Sequence, residues 1–430
     1  MTLALPARVS ALLLVSTAVA RADDVEIEVE ATPVATPAAP KWWEVLDLRV
    51  SGYVQPQVVF SDLSEDEVSV EGAPLNQDRF LVRRARVKVE RWFKYARTSV
   101  ELDLNTVDGP HVSPSGAELS LFLPNARGDR PPLVGVTAGL FDIPFGFELP
   151  EDSDARYFAE RSLGSRALFP GDNDVGVQLA SALGPIRLVV AVQNGVPLRN
   201  TPDDALAYTA RKTILGRLGA VAGVEGRTEL AGGVSYLNGG GFHAGTPESK
   251  STLLWSDRNQ NGLVSLDELV GVSGQAASPS STFEQWAVNA DIQVGLHTPL
   301  GWTRVFAEAT MASNLDRGWL VADPVSTGYD VREIAWTAGA VQEVTRYGVL
   351  GFRADFYDPN SDVFESRRGD FVPTDVSVLT LSPMVAAQLP GFGRLVLQYD
   401  YVVDHLGRDD LGVPRDLAND QWTLRGQVEF

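Results

Sequence analysis

The sequence predicts an all-β protein, a transmembrane antiparallel β-barrel of about 16 strands with an inward-folded constriction loop. Three observations support this class. Many segments alternate apolar and polar residues, their connections alternate between short and long, and the chain ends on an alternating strand with a terminal Phe. Successive side chains of a strand point to opposite faces, so such segments have one apolar and one polar side. A barrel in lipid has that pattern because its outer face is apolar and its lumen is polar.

The last stretch, from Gln421 to Phe430, shows the alternation most clearly. Its even-numbered residues are Trp, Leu, Gly, Val and Phe, and its odd-numbered residues are Gln, Thr, Arg, Gln and Glu. An open strand edge in lipid would leave backbone N–H and C=O groups without partners. The last strand is therefore expected to pair with a first strand of the same kind, which the alternation places from Val45 to Phe60.

The N-terminal segment predicts export. Residues 1–22 contain Arg8, an apolar run and a small-residue cleavage site, features of a secretory signal peptide. Residues 23–44 are acidic and then rich in Pro, Ala and Thr, which predicts a flexible periplasmic lead-in. Residues 45–430 are assigned to the barrel. We therefore expect the outer membrane of a Gram-negative cell, with outer-membrane lipid and lipopolysaccharide as partners.

Composition and spacing argue against several other functions. The formal net charge is −20, which does not suit a nucleic-acid-binding surface. The chain has no cysteine, so disulfides and thiolate metal sites are excluded. The four histidines are scattered without zinc spacing, and no nucleophile elbow or triad is recognisable. No catalytic residues are predicted, and we expect the protein not to be an enzyme.

The alternation can be followed along the chain. After the first strand, strands are predicted from Arg79 to Phe93, Ala96 to Asn105, Gly116 to Pro124 and Leu133 to Phe141. Further segments begin near Asp174, Pro185, Arg211, Gly226, Thr282, Gly301, Val331, Tyr347, Asp375 and Phe392, before the terminal strand. This gives about sixteen strands, an even number in the range of bacterial barrels. A soluble two-sheet sandwich also alternates, but it does not predict the signal peptide, the terminal Phe and the loop asymmetry together.

The segment between the fifth and sixth strands, Asp142 to Asn173, is long and contains several aromatic residues. Such a composition predicts packing against protein and not full solvation. Irregular backbone at membrane depth is tolerated only where it lies inside protein or lines a water-filled cavity. The segment is therefore expected to fold into the lumen and to narrow it.

Several motifs in and near this segment resemble the phosphate-selective porin family. They are Phe141-x-x-Pro144-Phe145-Gly146-x-Glu148, Glu160-Arg161-Ser162, Pro170-Gly171-Asp172-x-Asp174-x-Gly176, Arg83-Arg84-Ala85-Arg86 and Asn194-Gly195. The resemblance covers the chain from Val45 onward and implies a sixteen-stranded, commonly trimeric barrel that passes small anions. The chain departs from the family at Asp142, where such proteins tend to carry a basic residue.

Basic residues supply the candidate pore lining. Three of them share one face of the second strand at a two-residue spacing, roughly 6–7 Å between neighbours, which would let an anion step along them. Arginines of the inward segment could face them. The candidates are Arg84, Arg86, Lys88, Arg156, Arg161 and Arg166. The alternative is that they pair with lumen carboxylates such as Glu90, Glu101 and Asp103 and stiffen the wall, as expected for Arg353 with Asp355 and Arg304 with Glu308; arginine suits both roles.

A second constellation lies in the long connection that follows the ninth strand. The stretch DRNQNGLVSLDE, residues 257–268, has the spacing of an EF-hand calcium loop, with Gly262 at the position of the sharp turn. The alternative is an Asn-Gly turn in a polar loop. The candidate Ca²⁺ ligands are Asp257, Asn259, Asn261, Leu263 through its carbonyl, Ser265 and Glu268.

Two functions follow from these features. The first is a passive outer-membrane porin that admits small hydrophilic solutes. The basic ladder and the resemblance predict that these solutes are anions such as phosphate, and the resemblance implies a homotrimer. The second is a surface receptor or adhesin barrel whose long loops are ordered by calcium. Conductance in a planar bilayer separates them, because a sealed barrel passes no current.

Overall fold

The computed structural model describes residues 47–62, 78–107, 109–124, 131–195, 211–224, 227–367, 370–373, 376–408 and 414–430. Sixteen antiparallel strands close into one barrel, so the predicted fold class is confirmed. The predicted signal peptide (1–22) and lead-in (23–44) lie outside the described residues. None of the helices in the described residues is long and apolar enough to cross a lipid bilayer.

Each barrel strand pairs with its neighbours in the sequence. In chain order the strands are β1 (Arg49–Ser61), β2 (Arg79–Trp92), β3 (Ala96–Asn105), β4 (His111–Leu123), β5 (Val134–Asp142), β6 (Asn173–Leu183), β7 (Ile186–Gln193), β8 (Thr213–Val224), β9 (Thr228–His243), β10 (Ser281–Thr298), β11 (Gly301–Ser313), β12 (Arg332–Thr345), β13 (Gly348–Asp358), β14 (Val378–Leu389), β15 (Gly393–Asp404) and β16 (Gln421–Glu429).

The barrel closes by pairing β16 with β1, as the alternation of the last strand predicts. At the seam Gly52 N donates to Phe430 O and Phe430 N donates to Gly52 O, both at 3.0 Å. A Cβ on Gly52 would lie 2.6 Å from Cζ of Phe430 and 2.4 Å from the Arg86 carbonyl oxygen. Glycine is therefore required where the terminal ring crosses the first strand.

The two faces of the wall differ as the sequence predicts. On β3 the outward residues Val100, Leu102 and Leu104 are exposed, whereas Ser99 faces inward and is buried. On β16 Trp422 is 48% exposed and Arg425 only 4%. The outer face is therefore apolar and the inner face polar.

Strand β4 begins five positions earlier than the predicted start at Gly116. The difference arises at Pro114, which has no N–H for the ladder. The register with β3 shifts between Glu101, which pairs with Gly116, and Leu102, which pairs with Pro114. This β-bulge accommodates the proline and lets the strand continue.

The connections also alternate as predicted. Tight turns span 184–185, 299–300, 346–347 and 390–392, and the long connections span 143–172, 244–280 and 314–331. The long ones contain the helices α1 (Leu163–Leu168) and α2 (Pro324–Thr327) and a 3₁₀ turn (Leu266–Glu268). A two-stranded hairpin, Thr252–Trp255 with Leu269–Val272, lies in the 244–280 connection. Two more lie among the described residues between β13 and β14 (Phe364–Arg367 with Asp370–Pro373) and between β15 and β16 (Gly407–Arg408 with Pro414–Arg415).

The core lies inside the barrel. Residues 143–172, called the inward segment below, bury Phe145, Leu149 and Leu163 against wall residues such as Leu215 and Tyr357. A second apolar cluster joins Phe147 and Phe158 of the segment to Phe306 and neighbouring wall residues. The prediction that this segment folds inward is confirmed.

Candidate functional site

The inward segment enters the lumen through a turn that only glycine fits. Gly146 has φ +64°, and a Cβ there would lie 1.9 Å from Glu308 Oε1 of β11. The backbone N–H groups of the turn bond to the wall: Gly146 N donates to Ser235 Oγ at 3.1 Å, and Glu148 N donates to Glu308 Oε2 at 3.1 Å. Irregular backbone is satisfied here by side chains of the barrel.

Helix α1 is fixed at its start by Glu148. The Ser162 N–H donates to Glu148 Oε1 at 2.7 Å, and the Ser162 hydroxyl donates to Oε2 at 2.5 Å. The next N–H, of Leu163, donates to Asp355 Oδ1 of β13 at 3.1 Å. Carboxylates thus cap the helix and join it to the wall.

Glu160 is the central contact of the segment with the barrel wall. Arg83 Nε lies 2.7 Å and Arg84 Nη2 3.1 Å from its carboxylate oxygens, and Arg425 of β16 makes a third ion pair. Arg353 Nη1 donates to its backbone oxygen at 2.7 Å. Burial disfavours the ionised carboxylate, but the three guanidinium groups outweigh burial and hold the pKa of Glu160 well below its usual range.

A β-bulge brings both arginines of β2 to Glu160. Arg84 pairs with Gln55 and Val82 pairs with Pro56, so Arg83 is an extra residue between them. Strict alternation would place Arg83 and Arg84 on opposite faces, whereas a bulge re-aims one side chain. The bulge therefore supplies two adjacent guanidinium groups to one carboxylate.

Asp172 is the centre of a second cluster. Arg161 Nη2 lies 2.6 Å from Asp172 Oδ1, and Arg156 Nη2 and Arg86 Nη2 lie 3.7 and 3.9 Å from Oδ2. Burial opposes ionisation here too, but the surrounding arginines lower the pKa of Asp172. This cluster ties the middle and the C-terminal end of the inward segment to β2.

Five of the six predicted basic residues are therefore divided between carboxylates, and the six do not form one free ladder. Arg84, Arg86 and Lys88 do face the lumen, and both Arg86 and Lys88 approach Glu101, at 3.2 and 3.9 Å. Arg166, in the last turn of α1, is exposed. The alternative, in which the basic residues pair with carboxylates of the wall, is seen at Glu101. Glu90 instead accepts a hydrogen bond from Trp92 Nε1 at 2.9 Å.

One of the expected wall pairs is wrong. Arg353 does contact Asp355, at 3.2 Å, but Arg304 pairs with Glu151 of the inward segment at 3.0 Å and not with Glu308. The reason is that Glu308 accepts N–H groups of the entry turn. The strand register of the wall does not reveal this change of partner, because the N–H groups that bind Glu308 belong to the inward segment and not to the sheet.

Sequence reasoning missed the residues that hold the segment. Arg425 could have been found, since the alternation of β16 already places it on the inner face. The alternation gives no orientation for Glu160 and Asp172, because both lie on irregular backbone without periodicity.

The predicted calcium-loop residues lie together in the hairpin of the 244–280 connection. Asp257 and Glu268 are brought close by its two paired strands. Among the described residues, no group of three or more His, Cys, Asp or Glu side chains is placed to hold a metal ion. Any cation here would therefore rest on two carboxylates and neutral oxygens.

No protein-family model and no curated protein matches the chain. Solved structures do match. The outer membrane channel DcaP of Acinetobacter baumannii has a TM-score of 0.52 at 13% identity, covering 89% of this chain and 97% of that one. Pseudomonas putida OprB has a TM-score of 0.51 at 11% identity, covering 90% of this chain and 95% of that one. An anion-selective porin from Comamonas acidovorans has a TM-score of 0.50 at 9% identity, covering 89% of this chain and 98% of that one.

The likeness is one of fold. At these identities it supports the barrel architecture and carries no residue roles to this chain. The resemblance to phosphate-selective porins stays a prediction.

Proposed function

We propose that this protein is a passive diffusion channel for small hydrophilic solutes in the outer membrane of a Gram-negative cell. The observation that carries the proposal is a closed barrel with an apolar outer face and a charged lumen that a folded segment narrows. Outward apolar residues suit lipid, and inward polar residues suit water-filled passage. No catalytic group takes part in the proposed function.

The polar contacts of the inward segment suggest where the free path lies. Hydrogen bonds join the segment to β1, β2, β9, β11, β13, β15 and β16. Apolar contacts with Leu215 and Ala191 extend this side to β7 and β8. We infer that the segment packs against this side of the wall and leaves the open cross-section beside β3 to β6. Solutes would then pass between the segment and that wall, where pore radius and lining charge set selectivity.

Two arginine clusters in the lumen support a preference for anions, with phosphate as the specific candidate from the resemblance. Arg83, Arg84 and Arg425 surround the one carboxylate of Glu160, and Arg86, Arg156 and Arg161 approach that of Asp172, which gives a local excess of positive charge at both places. In a narrow lumen with low-dielectric walls, such an excess raises the local concentration of anions.

The assembly and location are part of the same proposal. We expect export by the cleaved signal peptide of residues 1–22, contact with lipid and lipopolysaccharide on the outer face, and a homotrimer as the resemblance implies. The exposed apolar side chains of the wall are compatible with lipid on most faces and with neighbouring subunits on one.

The test is single-channel recording of the purified full-length protein in a planar lipid bilayer. Step-like conductance with a reversal potential on the anion side, under a potassium chloride gradient, is the expected result. A reversal potential on the cation side would contradict the anion preference, but the channel function would still stand. Complete absence of conductance from folded barrels would reject the channel and favour the receptor or adhesin function.

A further inference from the structure

The hairpin in the connection between β9 and β10 has a turn with the ligand spacing of an EF-hand loop. Its strands pair Thr252 with Val272 and Trp255 with Leu269, and Ser256 N donates to Glu268 O at 3.1 Å. The pairing brings the first and twelfth positions of the loop, Asp257 and Glu268, to the same end of the hairpin. In an EF-hand these two positions supply the main carboxylates of the Ca²⁺ shell.

The loop between them is folded around its own oxygen atoms. Asp257 Oδ1 accepts from Asn261 N at 3.0 Å, and Asp257 Oδ2 accepts from Gly262 N at 2.8 Å. Asn261 Oδ1 accepts from Leu263 N at 2.7 Å. Gly262 has φ +72°, which permits the sharp turn at the sixth position. The side chains at positions one, three and five are thus drawn inward by backbone N–H groups.

Glu268 is an unusual carboxylate for an external hairpin. It is 2% exposed, and its oxygens accept from Trp255 Nε1 and from Asn259 N, both at 3.2 Å. Among the ion pairs of the described residues, none supplies a cation to it. A carboxylate that has only neutral donors keeps its full negative charge, and a bound cation would neutralise that charge.

We propose that residues 257–268 bind one Ca²⁺ through Asp257, Asn259, Asn261, the Leu263 carbonyl, Ser265 and Glu268. The inference is independent of the channel function, because the hairpin lies in a connection outside the barrel strands. With two charged ligands, the affinity is expected to be of the weak extracellular kind, roughly 10⁻⁴–10⁻³ M. Water completes the shell, since Ca²⁺ takes 6–8 oxygens.

The choice of metal follows from the ligands. All proposed donors are oxygens, which hard cations prefer, and they come from a flexible loop. Mg²⁺ requires near-ideal octahedral geometry and retains its waters, so it should compete poorly. Bound Ca²⁺ would order the hairpin, whose exposed Arg258 is a site for trypsin.

Two measurements on the detergent-solubilised full-length barrel test the site. The first is luminescence of Tb³⁺ excited through tryptophan, because Trp255 lies against Glu268. We expect a sensitised Tb³⁺ signal that falls when Ca²⁺ displaces the bound Tb³⁺. The same concentration of Mg²⁺ should leave the signal unchanged. The second is trypsin cleavage at Arg258, which Ca²⁺ should slow and EGTA should restore.

The variants are matched in charge. Glu268→Gln should weaken Ca²⁺ binding by about tenfold or more, because it removes the bidentate ligand. Asp267→Asn also removes one negative charge, but from an exposed residue that is not a proposed ligand, so it should leave Ca²⁺ binding unchanged. Trp255→Phe should abolish the Tb³⁺ signal and keep the protection by Ca²⁺. Equal losses in Glu268→Gln and Asp267→Asn, or no protection in the unmodified protein, would overturn the proposal in favour of a plain Asn-Gly turn.

Discussion

Arg84 Nη2 lies 3.1 Å from Glu160 Oε2 and joins β2 to the middle of the inward segment. The same carboxylate contacts Arg83 and Arg425, so it links two strands on either side of β1. β1 forms the closing seam with β16. The position of the segment and the closure of the barrel are therefore connected through one side chain.

Glu160→Gln is expected to weaken the docking of the inward segment. The change leaves three guanidinium groups around a neutral amide, and removing one partner of a buried ion pair costs about 3–5 kcal/mol. Urea unfolding followed by tryptophan fluorescence should show that loss. The control is Asp362→Asn, whose pair with Arg332 is exposed and is worth about 0–1 kcal/mol. Similar losses in both variants would contradict a special role for Glu160.

Replacing Arg84, Arg86 and Lys88 together with Gln is expected to shift the reversal potential toward cations. The reason is that three positive charges leave the lumen wall while nearby carboxylates remain. The matched control replaces Arg211, Lys212 and Arg346, exposed residues outside the barrel strands, with Gln. An unchanged reversal potential in the first variant would return these residues to a purely structural role in the wall.

Deletion of Glu151 to Ser165 is expected to raise single-channel conductance. The deletion removes Arg156, Glu160 and Arg161, and with them most contacts that hold the segment in the lumen. Removing the hairpin of residues 252–272 instead should leave conductance as it was, because that hairpin lies outside the barrel strands. If the first deletion has no effect on conductance, the narrowest part of the path lies elsewhere.

The docking of the segment is expected to resist mild acid. Arginines lower the pKa of Glu160 and of Asp172 in the folded protein. Groups with a lowered folded pKa stabilise the fold fully above their unfolded pKa, about 4 for these carboxyls. That stabilisation is lost only as pH falls through the lower folded values. The difference in conductance between the unmodified protein and Glu160→Gln should therefore stay constant from about pH 7.5 to about pH 5, and a difference that vanishes within that range would contradict the assignment.

The period-two alternation of the sequence predicted the positions of the barrel strands. Strand β3 has the predicted bounds, and most other strands begin within a few residues of the predicted positions. β4 differs because Pro114 interrupts the pattern, and only the register with β3 reveals the bulge that absorbs it. Local alternation thus locates strands, while bulges depend on the partner strand.

The sequence by itself determined the number of strands, their inner and outer faces, the pairing of the last strand with the first, and the inward segment. These properties follow from local patterns and from the need to satisfy every backbone group of a closed barrel. Only the tertiary structure decided which carboxylate each arginine meets. Arg425 and Glu160 are 265 positions apart, and no periodic pattern relates an irregular segment to the wall that surrounds it.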